Sequence, residues 1–146
     1  MIEECNLDSK AKGSFIGHHE RKLDGKGRVM LPAHWRKAIE TDSKDIVILS
    51  GKNYIALVSA SAHFNYASGA KDIVEIAGPL VRYAKLDDNG RIRLSKEDRD
   101  TLELSGNKVI IAGYGSHLKI WSPDKWEQEK QRMDIQINSM LGDYNP

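Results

Sequence analysis

A chain of 146 residues with 40% hydrophobic and 29% charged residues is long enough to bury roughly 70% of its unfolded surface, so it is expected to be a soluble domain that needs no disulfide staples. The formal net charge of +1 excludes a uniformly basic nucleic-acid binder, and the lone Cys5 excludes an internal disulfide and suits a reducing cytosol. No apolar run reaches the ~20 residues of a membrane span and no signal-peptide core opens the chain, so a cytoplasmic protein without membrane partners is expected.

Residues 1–13 are polar and aperiodic and read as a loose leader. Ser14–Leu23 enters a strand, Asp24-Gly25-Lys26-Gly27 forms a turn, and Arg28–Leu31 is a short strand. Pro32 opens a helix on which Trp35, Ala38 and Ile39 share one face by their spacing. Asp45–Ser50 and Tyr54–Val58 read as a hairpin around Gly51-Lys52-Asn53. Ser59–His63 begins a short helix, Asn65–Ala70 is the best linker candidate, and Asp72–Ala77 fits strand or helix equally. After the Gly78-Pro79 break, Leu80–Leu86 is a strand, Asp87-Asp88-Asn89-Gly90 a turn and Arg91–Leu94 a strand. Ser95-Lys96-Glu97-Asp98 resembles a capping box with Asp in the Glu position, opening a helix to Leu102. Gly106–Gly113 and His117–Trp121 form a second hairpin. Pro123 starts a final helix with Trp126, Met133, Ile137 and Met140/Leu141 along one face.

The elements occur twice. Lys22 to Arg36, KLDGKGRVMLPAHWR, is matched sixty-three positions on by Lys85 to Arg99, KLDDNGRIRLSKEDR. Lys22/Lys85, Leu23/Leu86, Asp24/Asp87, Gly27/Gly90, Arg28/Arg91, Leu31/Leu94 and Arg36/Arg99 coincide, with Val29/Ile92 and Ile39/Leu102 as conservative matches. Two copies are too few for a solenoid, so the repeat predicts two related halves about a pseudo-two-fold axis. The division is residues 14–63 and 80–126, with 64–79 between them and 127–146 as a closing helix and tail. The first copy lies in a locally basic stretch, six Lys/Arg against three acids over Ser14–Glu40, while Asp124–Pro146 carries three against five.

The pattern D-x-x-G-R-V-x-L-P-x-x-x-R, carried by Asp24, Gly27, Arg28, Val29, Leu31, Pro32 and Arg36, resembles the AbrB-type swapped-hairpin DNA-binding motif. Duplicated, preceded by Phe15 and Gly17, and followed by Lys108–Gly113, Ile120-Trp121 and Trp126, it resembles one family in particular, MraZ, a regulator of the bacterial division and cell-wall gene cluster. The resemblance covers Phe15 to Trp126. It implies an α+β, mainly β fold in which two AbrB-like halves form a pseudo-two-fold β-barrel with short helices. It also implies a transcriptional regulator that binds promoter DNA with short direct repeats as a ring-like homo-oligomer, in the cytoplasm at the nucleoid. The family's DNA-binding motif falls on Asp24/Arg28 and Asp87/Arg91. The expected contact set is Lys22, Lys26, Arg28, Arg91 and Arg93, with Asp24 and Asp87 supporting the arginines and Gly27 and Gly90 making the turns. The second copy departs, with Ser95 in place of Pro32 and Asn89 in place of Lys26, and is expected to grip DNA less. The span from Phe64 to Leu86 looks shorter than the family's usual helical insert.

Bare chemistry reads Asp24/Arg28 and Asp87/Arg91 equally well as ion pairs bracing each turn, a role compatible with contact because an arginine held by a carboxylate is better organised to meet phosphate. Arg36 and Arg99 read as scaffold, and the three tryptophans as core or interface aromatics. The five histidines show no ligand spacing, and His18 and His19, adjacent on a strand, point to opposite faces, so no metal is expected. There is no P-loop and no G-x-S-x-G; neither an enzyme, a cofactor nor a small-molecule substrate is expected. An AbrB-like module that grips a protein partner, such as an antitoxin, is the alternative.

Overall fold

The computed structural model describes residues 15–40, 45–59 and 78–142. The expected leader, the linker, the ambiguous Asp72–Ala77 segment and residues 60–63 of the expected Ser59–His63 helix lie outside the described residues, while Ser59 itself ends a strand rather than opening a helix. In chain order the elements are β1 (Phe15–Lys22), β2 (Arg28–Met30), α1 (Ala33–Glu40), β3 (Asp45–Ser50), β4 (Tyr54–Ser59), a 3-10 turn (Gly78–Leu80), β5 (Val81–Lys85), β6 (Arg91–Arg93), α2 (Lys96–Leu102), β7 (Lys108–Gly115), β8 (Leu118–Trp121) and α3 (Pro123–Leu141).

Each half contributes strands to the other. β1 runs antiparallel to β7, from Phe15 opposite Gly115 to Lys22 opposite Lys108. Its counterpart β5 runs antiparallel to β3, from Asp45 opposite Lys85 to Leu49 opposite Val81. The six-stranded sheet has the order β1-β7-β8-β4-β3-β5, and β2 pairs with β6 in a separate two-stranded ribbon. A shift of sixty-three residues turns β1, β3 and β4 into β5, β7 and β8, so the order reads the same from either edge. The expected closed barrel is not what the pairing gives. Among the described strands the sheet is open, with β1 and β5 as its edges.

The core lies between the sheet, the ribbon and the two short helices. Val29 and Ile92, opposite each other in the ribbon, are both fully buried. They pack in one cluster with Phe15, Leu31, Trp35, Ile46, Ile48, Leu94, Leu102, Ile111 and Ile120. Helix α1 follows Pro32, whose carbonyl accepts from the Trp35 and Arg36 amides, and it buries Trp35, Ala38 and Ile39 as their spacing requires. The capping box at α2 is complete. The Ser95 hydroxyl accepts from the Asp98 amide at 3.1 Å, and the Asp98 carboxylate accepts from the Ser95 amide at 3.0 Å. The same buried carboxylate is paired with Arg82 on β5, so one side chain both caps the helix and ties it to the sheet edge.

Helix α3 covers the other face of the sheet, where Trp126 packs against Ile110, Ala112 and Trp121, with Tyr54, Tyr114 and Met133 around them. The Lys119 ammonium lies 4.3 Å over the Tyr54 ring and 4.6 Å over Tyr114. The apolar face expected along the whole helix is docked only at its start; Ile137, Met140 and Leu141 are exposed. Nineteen residues at ~1.5 Å each run about 28 Å, farther than two strands ~4.8 Å apart can cover.

Candidate nucleic-acid interface

In the Asp24 turn, the Asp24 carboxylate accepts from the Lys26 and Arg28 amides through Oδ1, both at 2.9 Å. Its Oδ2 accepts from Arg28 Nε at 2.7 Å. The second turn repeats this: Asp87 Oδ1 takes the Asn89 and Arg91 amides at 2.9 Å, and Oδ2 takes Arg91 Nε at 3.0 Å. Gly27 and Gly90 both stand at φ 78°, the left-handed region in which a side chain is strained. The carboxylate therefore shapes the turn and holds the arginine that leaves it.

The halves then lock together. The Leu31 amide donates to the Gly90 carbonyl and the Leu94 amide to the Gly27 carbonyl, extending the ribbon at both ends. Arg36 of α1 closes over the second turn, where a Cβ at Gly90 would fall 2.0 Å from its Cδ, and its Nη1 donates to the Asn89 carbonyl at 3.4 Å. Arg99 of α2 closes over the first turn, 3.0 Å from where a Gly27 Cβ would stand. Arg36 and Arg99 are thus scaffold, each holding the turn of the other half.

Strand alternation sends Val29 and Ile92 into the core and leaves Arg28, Met30, Arg91 and Arg93 on the outer face of the ribbon. Arg28 lies opposite Arg93, and Met30 opposite Arg91. Like charges directly opposite each other on a strand pair oppose folding, so the fold alone does not call for this face. Asp24 Oδ2 also stands 3.7 Å from Arg91 Nη1, which puts one carboxylate oxygen between the two motif guanidiniums and joins both motifs in a single cluster. Arg28 and Arg91 keep side-chain exposures of 29% and 24%; they are half sunk and braced, yet reachable. Among the described residues the terminal nitrogens of Arg28 make no hydrogen bond.

Of the residues expected from sequence, Arg28, Arg91 and Arg93 converge on the ribbon face, with Lys26 exposed in the adjoining turn. Lys22 lies outside the ribbon. It ends β1 opposite Lys108 in the large sheet. Met30, outside the expected set, shares the ribbon face and is the outward ribbon position at which the two copies differ. His18 and His19 lie on the two faces of β1, His18 5.0 Å from the Trp126 ring and His19 5.1 Å from Trp35, with the His34 ring 5.7 Å from His19. Among the described residues no group of three or more His, Cys, Asp or Glu is placed to hold a metal ion, and no helix is long and apolar enough to cross a membrane.

The turns have a measurable electrostatic signature. The Arg28 amide acts most strongly on the Asp24 carboxyl; with the Lys26 amide and the Arg28 guanidinium it outweighs desolvation, the second-largest influence, and holds the group down to about 2 from its ordinary 3.8. Asp87 is lowered by its Arg91 amide and guanidinium in the same way. A folded value below the unfolded one means that the Asp24 contribution is complete above 3.8, declines as the pH falls from there, and is gone below about 2. Asp24→Asn is expected to flatten the pH dependence of stability across that acid window. Urea midpoints measured from pH 5 downward check this; parallel profiles for variant and wild type would contradict it.

A ribbon of this width fits the ~12 Å major groove, and a guanidinium fork suits either a phosphate or the O6/N7 edge of guanine. The family model described as "MraZ protein, putative antitoxin-like" matches residues 14–76 and again 82–141. "Transcriptional regulator MraZ" of Roseiflexus castenholzii is 30% identical over 131 residues, covering 82% of this chain and 89% of the relative. The proteins of the same name from Natranaerobius thermophilus and Mycobacterium leprae are 28% identical over 145 residues and 29% over 128, covering 86% and 80% of this chain and 93% and 87% of theirs. With both copies of the repeat matched by the family model over most of its length, this chain belongs to the MraZ family.

Proposed function

We propose that this chain is a sequence-specific DNA-binding transcriptional regulator that grips promoter DNA through the outer face of the β2–β6 ribbon. The observation that carries the reading is the convergence of Arg28, Arg91 and Arg93 on one exposed ribbon face, two of them braced by carboxylates. The relatives' name, transcriptional regulator, supports it. The exchange of β1 and β5 between the halves supports a swapped-hairpin AbrB-like architecture. The open edges β1 and β5 and the exposed Ile137, Met140 and Leu141 offer surface for self-association, in keeping with a ring-like homo-oligomer at the nucleoid that meets short direct repeats upstream of a division and cell-wall gene cluster. The antitoxin reading has only the family description behind it and is not favoured.

Mobility shift of the DNA upstream of the chain's own gene, at two salt concentrations, tests this. Each phosphate neutralised contributes about −0.9 to the slope of log K against log salt. The two carboxylate-braced arginines, if both lie on phosphate, therefore give about −1.8 per protomer. A native-mass measurement in the same buffer tests the oligomer. Binding that ignores both salt and sequence would overturn the reading.

A further inference from the structure

The ribbon's outward face is nearly two-fold symmetric, and the place where the symmetry fails is informative. The repeat relates Arg28 to Arg91 and Met30 to Arg93. The first pair is identical in both halves, and each member is held by its own carboxylate. The second pair differs. Met30 is 43% exposed, and Arg93 is exposed with no hydrogen bond or ion pair on its guanidinium among the described residues; only its backbone carbonyl is engaged, by Arg82. The register puts the difference at opposite ends of one short ribbon, an Arg28–Arg93 end and a Met30–Arg91 end.

Four arginines in this arrangement would present the same face in either direction along a groove. The ribbon face of such a protomer would have no preferred polarity on its base pairs, leaving only the turn difference of Lys26 against Asn89 to distinguish the two ends. Met30 removes that degeneracy. Its thioether side chain is flexible, polarisable and apolar, and it belongs to none of the core clusters among the described residues. In the major groove the apolar feature a protein can meet is the thymine 5-methyl, while arginine's partner is the O6/N7 edge of guanine.

We propose that Met30 and Arg93 are specificity-determining residues that set the polarity of each protomer on DNA, Met30 meeting a thymine methyl and Arg93 a guanine edge. The inference rests on the DNA-binding reading above and adds a direction to it.

The test uses the full chain and selection from a randomised duplex library followed by sequencing, with wild type, Met30→Arg, Met30→Leu and the exchange Met30→Arg/Arg93→Met. The exchange variant is expected to select the wild-type site with the orientation of the ribbon reversed, and Met30→Arg a site of greater two-fold symmetry. Next, each thymine of the selected wild-type duplex is replaced singly by deoxyuridine, which removes only the methyl. At one position this is expected to weaken wild type and Met30→Leu by about fourfold, the scale of one buried methyl group, and to leave Met30→Arg unmoved. A site selected by Met30→Arg that is no more symmetric than the wild-type site, an exchange variant that selects a different sequence, or deoxyuridine effects that are the same in wild type and Met30→Arg, would overturn the inference. If that happens while Arg28→Ala and Arg91→Ala still lose binding, the DNA-binding reading survives without it. A wild-type chain that enriches no sequence would remove both.

Discussion

Replacing Arg28 and Arg91 together by alanine is expected to lower affinity for the operator duplex by roughly two to four powers of ten, at about 1–3 kcal/mol for each arginine contact. Folding is expected to survive. Both ion pairs are about one-third exposed, and solvent-exposed pairs contribute at most about 1 kcal/mol each. Asp24 and Asp87 also retain amide donors within their own turns. The single variants are expected to differ. Arg28 is held by one carboxylate, whereas Arg91 stands between Asp87 and Asp24. A guanidinium already shared by two carboxylates has less to gain from phosphate, so Arg28→Ala is expected to cost more than Arg91→Ala. The salt dependence separates the kinds of contact. Losing two phosphate contacts makes the log–log slope shallower by about 1.8, while losing base contacts leaves the slope alone and relaxes sequence preference. Titration of both single variants and the double at two salt concentrations, with thermal melts as the folding control, measures all of this. A double variant that folds and binds like wild type would remove the ribbon from the interface.

Features that depend on near neighbours were legible before any coordinates. The Asp-x-x-x-Arg spacing places a carboxylate where turn amides can reach it, and both of its expected roles are compatible with what is seen: Asp24 braces the turn and leaves Arg28 terminal nitrogens without a hydrogen bond among the described residues. The capping box at Ser95 and the buried face of α1 follow from local spacing in the same way. Long-range choices were less legible. Alternation tells which face a strand buries but not which strand it joins, so the pairing of β1 with β7 across ninety-odd residues could not be read from either segment. Nor could the open sheet edges. Arg36 and Arg99 were recognised as scaffold, but what they hold, the glycine turn of the opposite half, depends on that same long-range docking. The Met30/Arg93 mismatch sits among matched positions of the repeat, and only the ribbon register shows that both fall on the outer face.

The exchange of strands between the halves makes Gly113 the position where one added carbon is expected to do the greatest damage to stability. It lies on β7 opposite Gly17, where β1 crosses closely. A Cβ there would fall 2.5 Å from the Phe15 carbonyl carbon, 2.6 Å from its oxygen and 2.8 Å from the Ile16 nitrogen. All three are backbone atoms, so no rotamer change relieves the contact, in contrast to Gly90, where the obstacle is the Arg36 side chain. β1 must shift away from β7, disturbing a core in which Phe15 packs edge-on against Trp35 at 6.0 Å. Overpacking costs about 1–3 kcal/mol where neighbours can adjust, and a backbone obstacle belongs at the upper end. Gly113→Ala is therefore expected to lower Tm by roughly 10 °C, at about 3 °C per kcal/mol for a chain of this size. Gly106→Ala, with open space around the new carbon and no positive φ, is the matched control and is expected to melt within about 2 °C of wild type. The damage should reach the interface, because β1 leads through Leu23 into the Asp24 turn, and the Leu23 amide is anchored on the Asn107 carbonyl at 2.7 Å. Hydrogen exchange should therefore quicken first at the β1 and Asp24-turn amides, with DNA affinity falling alongside. A Gly113→Ala chain that melts with wild type and keeps β1 protected would mean that the sheet edge is not held as closely as these distances require.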